Sequence, residues 1–366
     1  MDKLQQARKK INEADKEMAR LFCERMQACG LVAEYKKEHG IPVFDAVREA
    51  EVIKNNSSLI ENEEIRAYYI SFIKSLMDIS KTYQHHILEG ARIAYSGVEG
   101  AFAHIAAGRI FPDGALVSYP SFEEAYESVE KGQCECVVLP VENSYAGEVA
   151  QAIDLMFNGS LFVNGIYDLC ITHNLLGVPG SEIKNIKTVI SHPQALSQCG
   201  KYIKEKGFDV IQAPNTAIAA QRVAKDGDKT LAAIASKETA ELYNLSVLDH
   251  HINSSNTNTT RFAVFSRVQN DISSKNGSFI LLFTVNNEAG ALAKAINIIG
   301  RYGFNMNVLR SRPIKEVNWQ YYFYVEAEGD IFGDVGKKML SELSAYCDKV
   351  KVAGHFSKEQ ILSDEE

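Results

Sequence analysis

The sequence predicts a multidomain chain: an all-α N-terminal segment, an α/β middle and an α+β C-terminal segment. Three observations lead there. Apolar residues recur every seven positions from Leu4 to Val32, the spacing of a helical seam. Between Arg92 and Phe265, short apolar runs alternate with amphipathic helical patterns, as in α/β domains. From Phe279 onwards the order reads strand, helix, strand, strand, helix, strand.

Composition sets the outer bounds. The 366 residues suffice for two or three domains of about 100–200 residues each. A hydrophobic content of 46% supports packed cores rather than disorder. Lys and Arg number 39 against 47 Asp and Glu, a net charge of −8, which argues against a nucleic-acid binder, since that needs a basic face. No apolar run approaches the roughly 20 residues that span a bilayer, and Met1–Gln6 is too polar for a signal-peptide core. A cytoplasmic protein with no membrane partner is therefore expected. The seven cysteines show no metal-like spacing, so free buried thiols and no metal are expected.

Leu4 to Lys37 reads as one long helix. Leu4, Ile11, Met18 and Val32 form one seven-residue row, in which Arg25 takes the place between Met18 and Val32. Arg8, Asp15, Phe22, Cys29 and Lys36 form the neighbouring row. Arg8, Arg25 and Lys36 thus lie on the side expected to be buried, where unpaired charge is costly. One cation there could snorkel to the edge of the seam; three favour an anion site. Arg8 and Arg25 are about 25 Å apart along a helix, too far to share one small ligand. An antiparallel two-fold partner would bring Arg8 of one chain towards Arg25 and Lys36 of the other, so a homodimer, or a higher oligomer, is expected.

Gly40-Ile41-Pro42 ends this helix. A short helix follows over Asp45–Lys54, with Asp45, Arg48 and Glu49 on one face. Asn55-Asn56-Ser57-Ser58 is read as a break, and a third helix runs from about Glu63 to His86, with Ser80 and Gln84 one turn apart. As a set in this order, Arg8, Arg25, Lys36, Asp45, Arg48, Glu49, Ser80 and Gln84 resemble the all-helical chorismate mutase family. That resemblance implies an intertwined dimer and a pericyclic rearrangement of chorismate to prephenate, which needs clamped carboxylates and a stabilised ether oxygen rather than a nucleophile. It implies that Arg8, Arg25 and Arg48 clamp carboxylates, that Lys36 and Gln84 face the ether oxygen, and that Glu49 and Asp45 hold the hydroxyl region.

His85–Gly90 is a junction. Arg92–Tyr95 reads as a strand entering Ser96-Gly97-Val98-Glu99-Gly100 and a helix from Ala101, an arrangement in which backbone donors can hold an anion or simply make a tight turn. Phe122–Lys131 is an amphipathic helix. Cys136–Val141 is a buried strand ending in Glu142-Asn143-Ser144-Tyr145-Ala146-Gly147, a polar cluster at a strand end and so a pocket candidate. Ile166–Leu176 reads as one strand containing Thr172-His173, and Val189–Ile190 leads into Ser191-His192-Pro193-Gln194. His192 is either a loop histidine fixed by Pro193 or a site residue. No Gly-x-Ser-x-Gly elbow marks a Ser-His-Asp triad. The polar run Asn253–Thr260 ends abruptly in Arg261-Phe262-Ala263-Val264-Phe265, a loop entering a strand buried on both faces.

Asn258-x-Thr260-Arg261-Phe262 resembles the signature of prephenate dehydratases, in which the Thr before the Arg is catalytic. Val141-Glu142-Asn143-Ser144-x-Ala146-Gly147 resembles that family's Glu-Asn-Ser motif. The turn at Ser96–Gly100 resembles its opening motif, with Val98 where Pro is usual and Ala103 where Ser is usual before His104. The resemblance implies a two-lobed α/β unit over 90–268, similar to periplasmic binding proteins, with the chain returning to the first lobe after Ala232. It implies prephenate held by Glu142, Asn143, Ser144, Gly147, Thr172 and Arg261, with Thr260 helping the hydroxyl to leave as CO2 departs and phenylpyruvate forms. No metal or organic cofactor is implied.

Gln269–Asn276 is a polar linker. The β-α-β-β-α-β order beyond it, over 277–357, is ferredoxin-like. Gly290-Ala291-Leu292 and Ser311-Arg312-Pro313 resemble the ACT domain that ends prephenate dehydratases and binds L-phenylalanine, although Arg310 stands where that family has Glu. On a strand, Arg310 and Arg312 share a face, which calls for an acid nearby; Glu316, Glu326 and Glu328 are the candidates. With the helical segment at 1–89, the three resemblances together imply a bifunctional enzyme of phenylalanine biosynthesis with L-phenylalanine as effector. The competing reading is a non-enzymatic amino-acid sensor, against which Thr260 and the charged seam argue.

Overall fold

The computed structural model describes residues 2–255, 257–270, 277–315, 319–357 and 360–362. Residues 271–276 of the expected linker and the candidate Glu316 lie outside them. The chain forms two compact units, one of Met1–Ile93 with Asp113–Ala115 and Lys131–Glu135, the other of the remaining residues.

The first unit is built on three helices, α1 (Lys3–His39), α2 (Ala46–Ser58) and α3 (Glu63–Glu89). Asp2 caps α1 by accepting from the Leu4 N–H, as acidic N-caps do. Gly40 ends α1 in the left-handed conformation at φ 64°, returning its N–H to the Lys36 and Lys37 carbonyls. Two expectations need correcting. Asn55-Asn56-Ser57-Ser58 is no break, because α2 continues to Ser58: the Asn56 amide donates to the Val52 carbonyl at 2.9 Å, the Ser58 hydroxyl donates to the Asn55 carbonyl at 2.7 Å, and the Tyr69 hydroxyl donates to Asn56. The seam of α1 is not buried within the chain either. Leu4, Ile11, Met18 and Val32 are 46–57% exposed, and the only fully buried residue of α1 is Ala33. No helix among the described residues is long and apolar enough to cross a membrane.

The second unit holds two sheets. In the first, Thr259–Ser266 lies between Cys136–Asn143 and Phe162–Cys170, antiparallel to both, and Arg92–Ser96 and Ala115–Tyr119 extend the sheet beyond Cys136–Asn143. Phe262, Ala263, Val264 and Phe265 are buried, as a central strand covered on both faces requires. The second sheet runs Ser246–Asp249, Asn174–Gly177, Leu231–Ala235, Thr188–Ser191, Asp209–Gln212.

The single strand expected over Ile166–Leu176 is in fact two. Phe162–Cys170 belongs to the first sheet, Asn174–Gly177 to the second, and Ile171-Thr172-His173 crosses between them. Here the backbone leaves the ladder for the second crossing segment: Ile171 N–H donates to the Asn258 carbonyl at 2.7 Å, and His173 N–H to the Asn253 side chain at 3.1 Å. The return to the first sheet follows Ser246–Asp249. Two crossings and two sheets make this region two-lobed.

Beyond it, Gly277–Thr284, Asn305–Pro313, Tyr321–Glu328 and Lys349–Ser357 pair in the order second, third, first, fourth, with helices Ala291–Arg301 and Asp334–Tyr346. This is the ferredoxin-like arrangement, cored by Phe279, Leu281, Phe283, Ile298, Met339 and Leu343. Its last strand meets Phe162–Cys170 where Gly354 pairs with Val163. A Cβ at Gly354 would lie 2.4 Å from the Val163 carbonyl oxygen, so only glycine permits this approach. Gln360–Leu362, a strand the sequence did not announce, continues the same edge.

Candidate active sites

In the second unit a cavity of about 850 Å3 opens between the lobes. Thr260 and Asn143 face each other across adjacent strands. The Asn143 amide donates to the Thr260 hydroxyl at 2.9 Å, so the threonine's own proton stays available for a ligand. The Asn143 carbonyl oxygen is held by the Tyr145 and Ala146 N–H groups at 3.0 and 2.9 Å and by Gln194 of the other lobe at 3.2 Å. This fixes the amide's orientation.

A second chain of amides lies behind the first. The Asn143 amide also donates to Asn258 at 3.0 Å, and the Asn258 amide donates to the Gln198 carbonyl oxygen at 3.0 Å. That oxygen also faces His173 Nε2 at 2.8 Å; because it is an acceptor, Nε2 carries the proton. His173 is 2% exposed, and burial holds its imidazole below the usual histidine range, only partly offset by Gln198. His192 caps the short helix Pro193–Gln198 by accepting the Gln194 N–H at Nδ1, and burial lowers its range as well. His192 therefore lines the cleft as well as fixing a loop. His104 accepts the Gly100 N–H and stacks edge-on against Tyr95, outside the cavity lining.

Lysine and arginine are missing from the lining residues. Two helix N-termini border the cavity instead. Helix Phe102–Ile110 begins at Ala101 with no side-chain cap, and helix Thr216–Asp226 begins at Asn215; Ala101, Phe102, Asn215 and Thr216 all line the cavity. First-turn N–H groups of helices attract anions.

Of the residues expected to hold prephenate, Asn143 lines the cavity with Thr260; Glu142, Ser144, Gly147, Thr172 and Arg261 do not. Strand alternation is the reason for two of these: next to Asn143 and Thr260, Glu142 and Arg261 point to the reverse face and pair with each other at 3.3 Å. Ser144 is spent on the backbone of Thr257 and Thr259. Gly147 is exposed at the start of the short strand Gly147–Glu148, and at the crossing His173, not Thr172, faces inward. The residues missed from the second lobe, Gln194, Gln198 and Thr216, follow no strand-end signal except for the Ser-His-Pro-Gln loop.

In the helical unit, the Arg25 guanidinium donates to the Ser80 hydroxyl and the Lys36 ammonium to the Val43 carbonyl at 2.6 Å. Gln84 is buried with its carbonyl oxygen unpartnered. Asp45 lies outside α2 and caps it through the Arg48 N–H. Glu49 pairs with Lys81 at 2.7 Å, a cation the sequence analysis did not select. Burial alone would lower Lys81, but Glu49 and Asp78 more than offset that and keep it charged. Arg48 is exposed and paired with Glu51. Arg8 is exposed, far up α1 from the others.

In the C-terminal domain, Gly290, Ala291 and Leu292 start a helix at the sheet end where Thr284 pairs with Tyr322 and Pro313 with Tyr321. Ser311 and Pro313 share that end and are exposed. Arg312 departs from expectation: it points inward, donating to Asp154 at 3.1 Å and to Glu148, and is only 11% exposed. The acids at Arg310 are Glu142 and, at 3.9 Å, Glu148, not Glu326, which takes Arg261, nor Glu328, which accepts from Asn307.

Fold and cleft define the class: a two-lobed α/β enzyme domain for a small polar ligand, preceded in the chain by helices. The prephenate dehydratase family profile matches residues 93–270, and the chorismate mutase type II profile residues 7–85. The bifunctional chorismate mutase/prephenate dehydratase of Enterobacter agglomerans is 29% identical over 374 residues, covering 98% of this chain and 97% of the relative. Arogenate dehydratase/prephenate dehydratase 1 of Arabidopsis thaliana, a chloroplastic protein, is 30% identical over 288 residues, 74% of this chain and 73% of the relative. Among solved structures, the quorum-quenching acylase GqqA superposes with a TM-score of 0.68 at 31% identity, over 73% of this chain and 97% of that one. The prephenate dehydratase of Arthrobacter aurescens in complex with L-Phe has a TM-score of 0.68 at 23% identity, over 73% and 90%. The chain belongs to the prephenate dehydratase family and carries a type II chorismate mutase domain ahead of it. It rearranges chorismate to prephenate and converts prephenate to phenylpyruvate.

The buried neutral His173 makes stability depend on pH. Its folded value lies below the ordinary one, so below pH about 6.5 the unfolded chain binds the proton first and stability falls with falling pH. The melting temperature should therefore drop between pH 7 and 5.5. His173→Gln, which keeps a donor towards Gln198, should flatten that slope in a thermal-unfolding series.

Proposed function

We propose that Thr260 is the proton-donating group of the dehydratase and that Asn143 activates it. The observation that carries this is the Asn143–Thr260 hydrogen bond at 2.9 Å inside the interlobe cavity. Prephenate loses its ring carboxylate as CO2. The freed electron pair aromatises the ring, and the carbon–oxygen bond to the hydroxyl breaks. The leaving oxygen takes its proton at the Thr260 hydroxyl, whose developing negative charge the Asn143 N–H stabilises. The substrate carboxylates sit at the first turns of Phe102–Ile110 and Thr216–Asp226, which supply positive potential where the cavity lining has no cationic side chain. An acylase role like that named for GqqA is not favoured. Its nucleophile needs a base, and among the described residues the side chain bonded to the Thr260 hydroxyl is an amide donor.

Thr260→Ala should lower phenylpyruvate formation from prephenate at least about a hundredfold, within the range for loss of a general acid, while chorismate consumption stays unchanged. A folded variant that retains dehydratase activity refutes the assignment.

For the mutase, Arg25, Lys36, Glu49, Ser80 and Gln84 form the part of a chorismate site that one chain supplies, and Arg8 of a second chain completes it. The open seam of α1 and the distance of Arg8 from the others support this shared site and a homodimer, since an exposed apolar row of this length needs a partner. Arg8→Ala and Arg25→Ala should each abolish mutase activity. Mixed under conditions of subunit exchange, they should recover part of it, because hybrid dimers carry one intact site. No recovery despite proven exchange counts against sharing.

The C-terminal domain is an ACT domain, within domain limits of 1–89, 90–268 and 277–357, and L-phenylalanine is its effector. The L-Phe complex of the Arthrobacter aurescens relative supports this, as do the exposed Ser311 and Pro313 beside Gly290–Leu292. L-Phenylalanine should inhibit dehydratase turnover more than mutase turnover. Insensitivity at millimolar concentration in a titration overturns the effector reading.

A further inference from the structure

Behind the Asn143–Thr260 pair lies a closed circuit of charge and aromatic contacts. Arg261 lies 3.3 Å from Glu142 and 3.1 Å from Glu326, with Asp168 at 3.8 Å. The Tyr324 hydroxyl donates to Glu326, Arg310 lies over the Tyr324 ring, and Arg310 donates to Glu142, closing the loop. Glu142 and Arg261 belong to the dehydratase strands; Arg310, Tyr324 and Glu326 belong to the C-terminal sheet.

The register gives the circuit its meaning. Thr260 pairs with Asn143 and Arg261 with Glu142, with a bulge directly after Arg261. Each partner of the catalytic pair is thus the backbone neighbour of a partner of the ion pair. Side chains alternate, so whatever sets the position of Glu142 and Arg261 sets the distance between the Asn143 amide and the Thr260 hydroxyl. Around Arg261 stand three carboxylates, Glu142, Asp168 and Glu326. Burial pushes Asp168 upwards against the opposing pull of Arg261, with Glu142 and Glu326 adding smaller upward contributions. Arg310 is the second cation of this group and the one contributed by the C-terminal domain.

We propose that Arg310 is a positioning residue of the dehydratase: through Glu142 and Arg261 it fixes the reverse face of Asn143 and Thr260, so that the C-terminal domain sets the catalytic hydrogen bond. This rests on the reading of Thr260 and Asn143 above. It also assigns the route by which a ligand on the C-terminal domain reaches the cleft, since displacing the strand Asn305–Pro313 withdraws Arg310 from Glu142.

The test uses the full chain with Arg310→Met and Arg310→Lys, measuring kcat and KM for prephenate, mutase turnover of chorismate, and thermal unfolding. Arg310→Met should lower dehydratase kcat about tenfold with KM within about twofold, because misplacement of a held group acts on turnover. Arg310→Lys, which keeps the cation, should retain at least about half of wild-type kcat, and both should keep full mutase activity. Dehydratase kcat within about twofold of wild type in Arg310→Met, or equal losses in the Met and Lys variants, overturns the proposal. Should Arg310→Met fail to fold, Tyr324→Phe decides in its place: it removes one hydroxyl of the circuit and should cost about threefold in kcat, whereas unchanged kcat overturns the proposal. Thr260→Ala separates this from failure of the site itself. If that variant is inactive while Arg310→Met is fully active, only the positioning role falls.

Discussion

The arrangement depends on the antiparallel pairing of Thr259–Ser266 with Cys136–Asn143. One register brings together two functions on opposite faces: an amide–hydroxyl pair towards the cavity, and an arginine–carboxylate pair towards the C-terminal sheet. A slip of Thr259–Ser266 by one residue would exchange its faces, turning Arg261 into the cavity and removing Thr260 from it. The apolar run Phe262–Phe265 resists such a slip because its side chains fill the core on both faces. The ion pair resists it too, since a partly buried charge left without its partner is costly.

The interlobe cleft is lined by neutral groups. Amides, hydroxyls, two neutral histidines and two helix N-termini converge there without a cation among the lining residues. The choice has a physical logic. A guanidinium beside the departing carboxylate would stabilise the ground state and hold back CO2. Helix first turns hold carboxylates without such a fixed full charge. Burial of His173 works in the same direction by keeping that ring uncharged.

The helical unit solves a different problem. Its reaction needs charges clamped around a folded substrate, and its cations sit on helices whose apolar rows are left open within one chain. Arg25 meets Ser80, Glu49 meets Lys81, and Gln84 is buried with an unpartnered oxygen, so these polar groups are already organised within one chain.

The succession of long helices, alternating α and β elements and a final β-α-β-β-α-β order was legible in the sequence because periodicity is local. A seven-residue row, alternating apolar runs and a β-α-β-β-α-β order each report on neighbours in the chain. Thr260 and Asn143 were legible as polar residues at the ends of buried strands. What no local pattern carried was facing. Glu142 and Arg261 stood in the same motifs as Asn143 and Thr260 yet turn away from the cleft. Arg312 stood beside Ser311 and Pro313 yet points into the interior. Thr172 lies where one expected strand is two, because crossing between sheets is decided by hydrogen bonds to Asn253 and Asn258, about eighty residues distant. The nearer acid for Arg310, Glu142, came from a strand 168 residues away. Residue types and their spacing determined which chemistry the chain carries; which residues of each motif meet, and on which face, only the packing of distant strands decided.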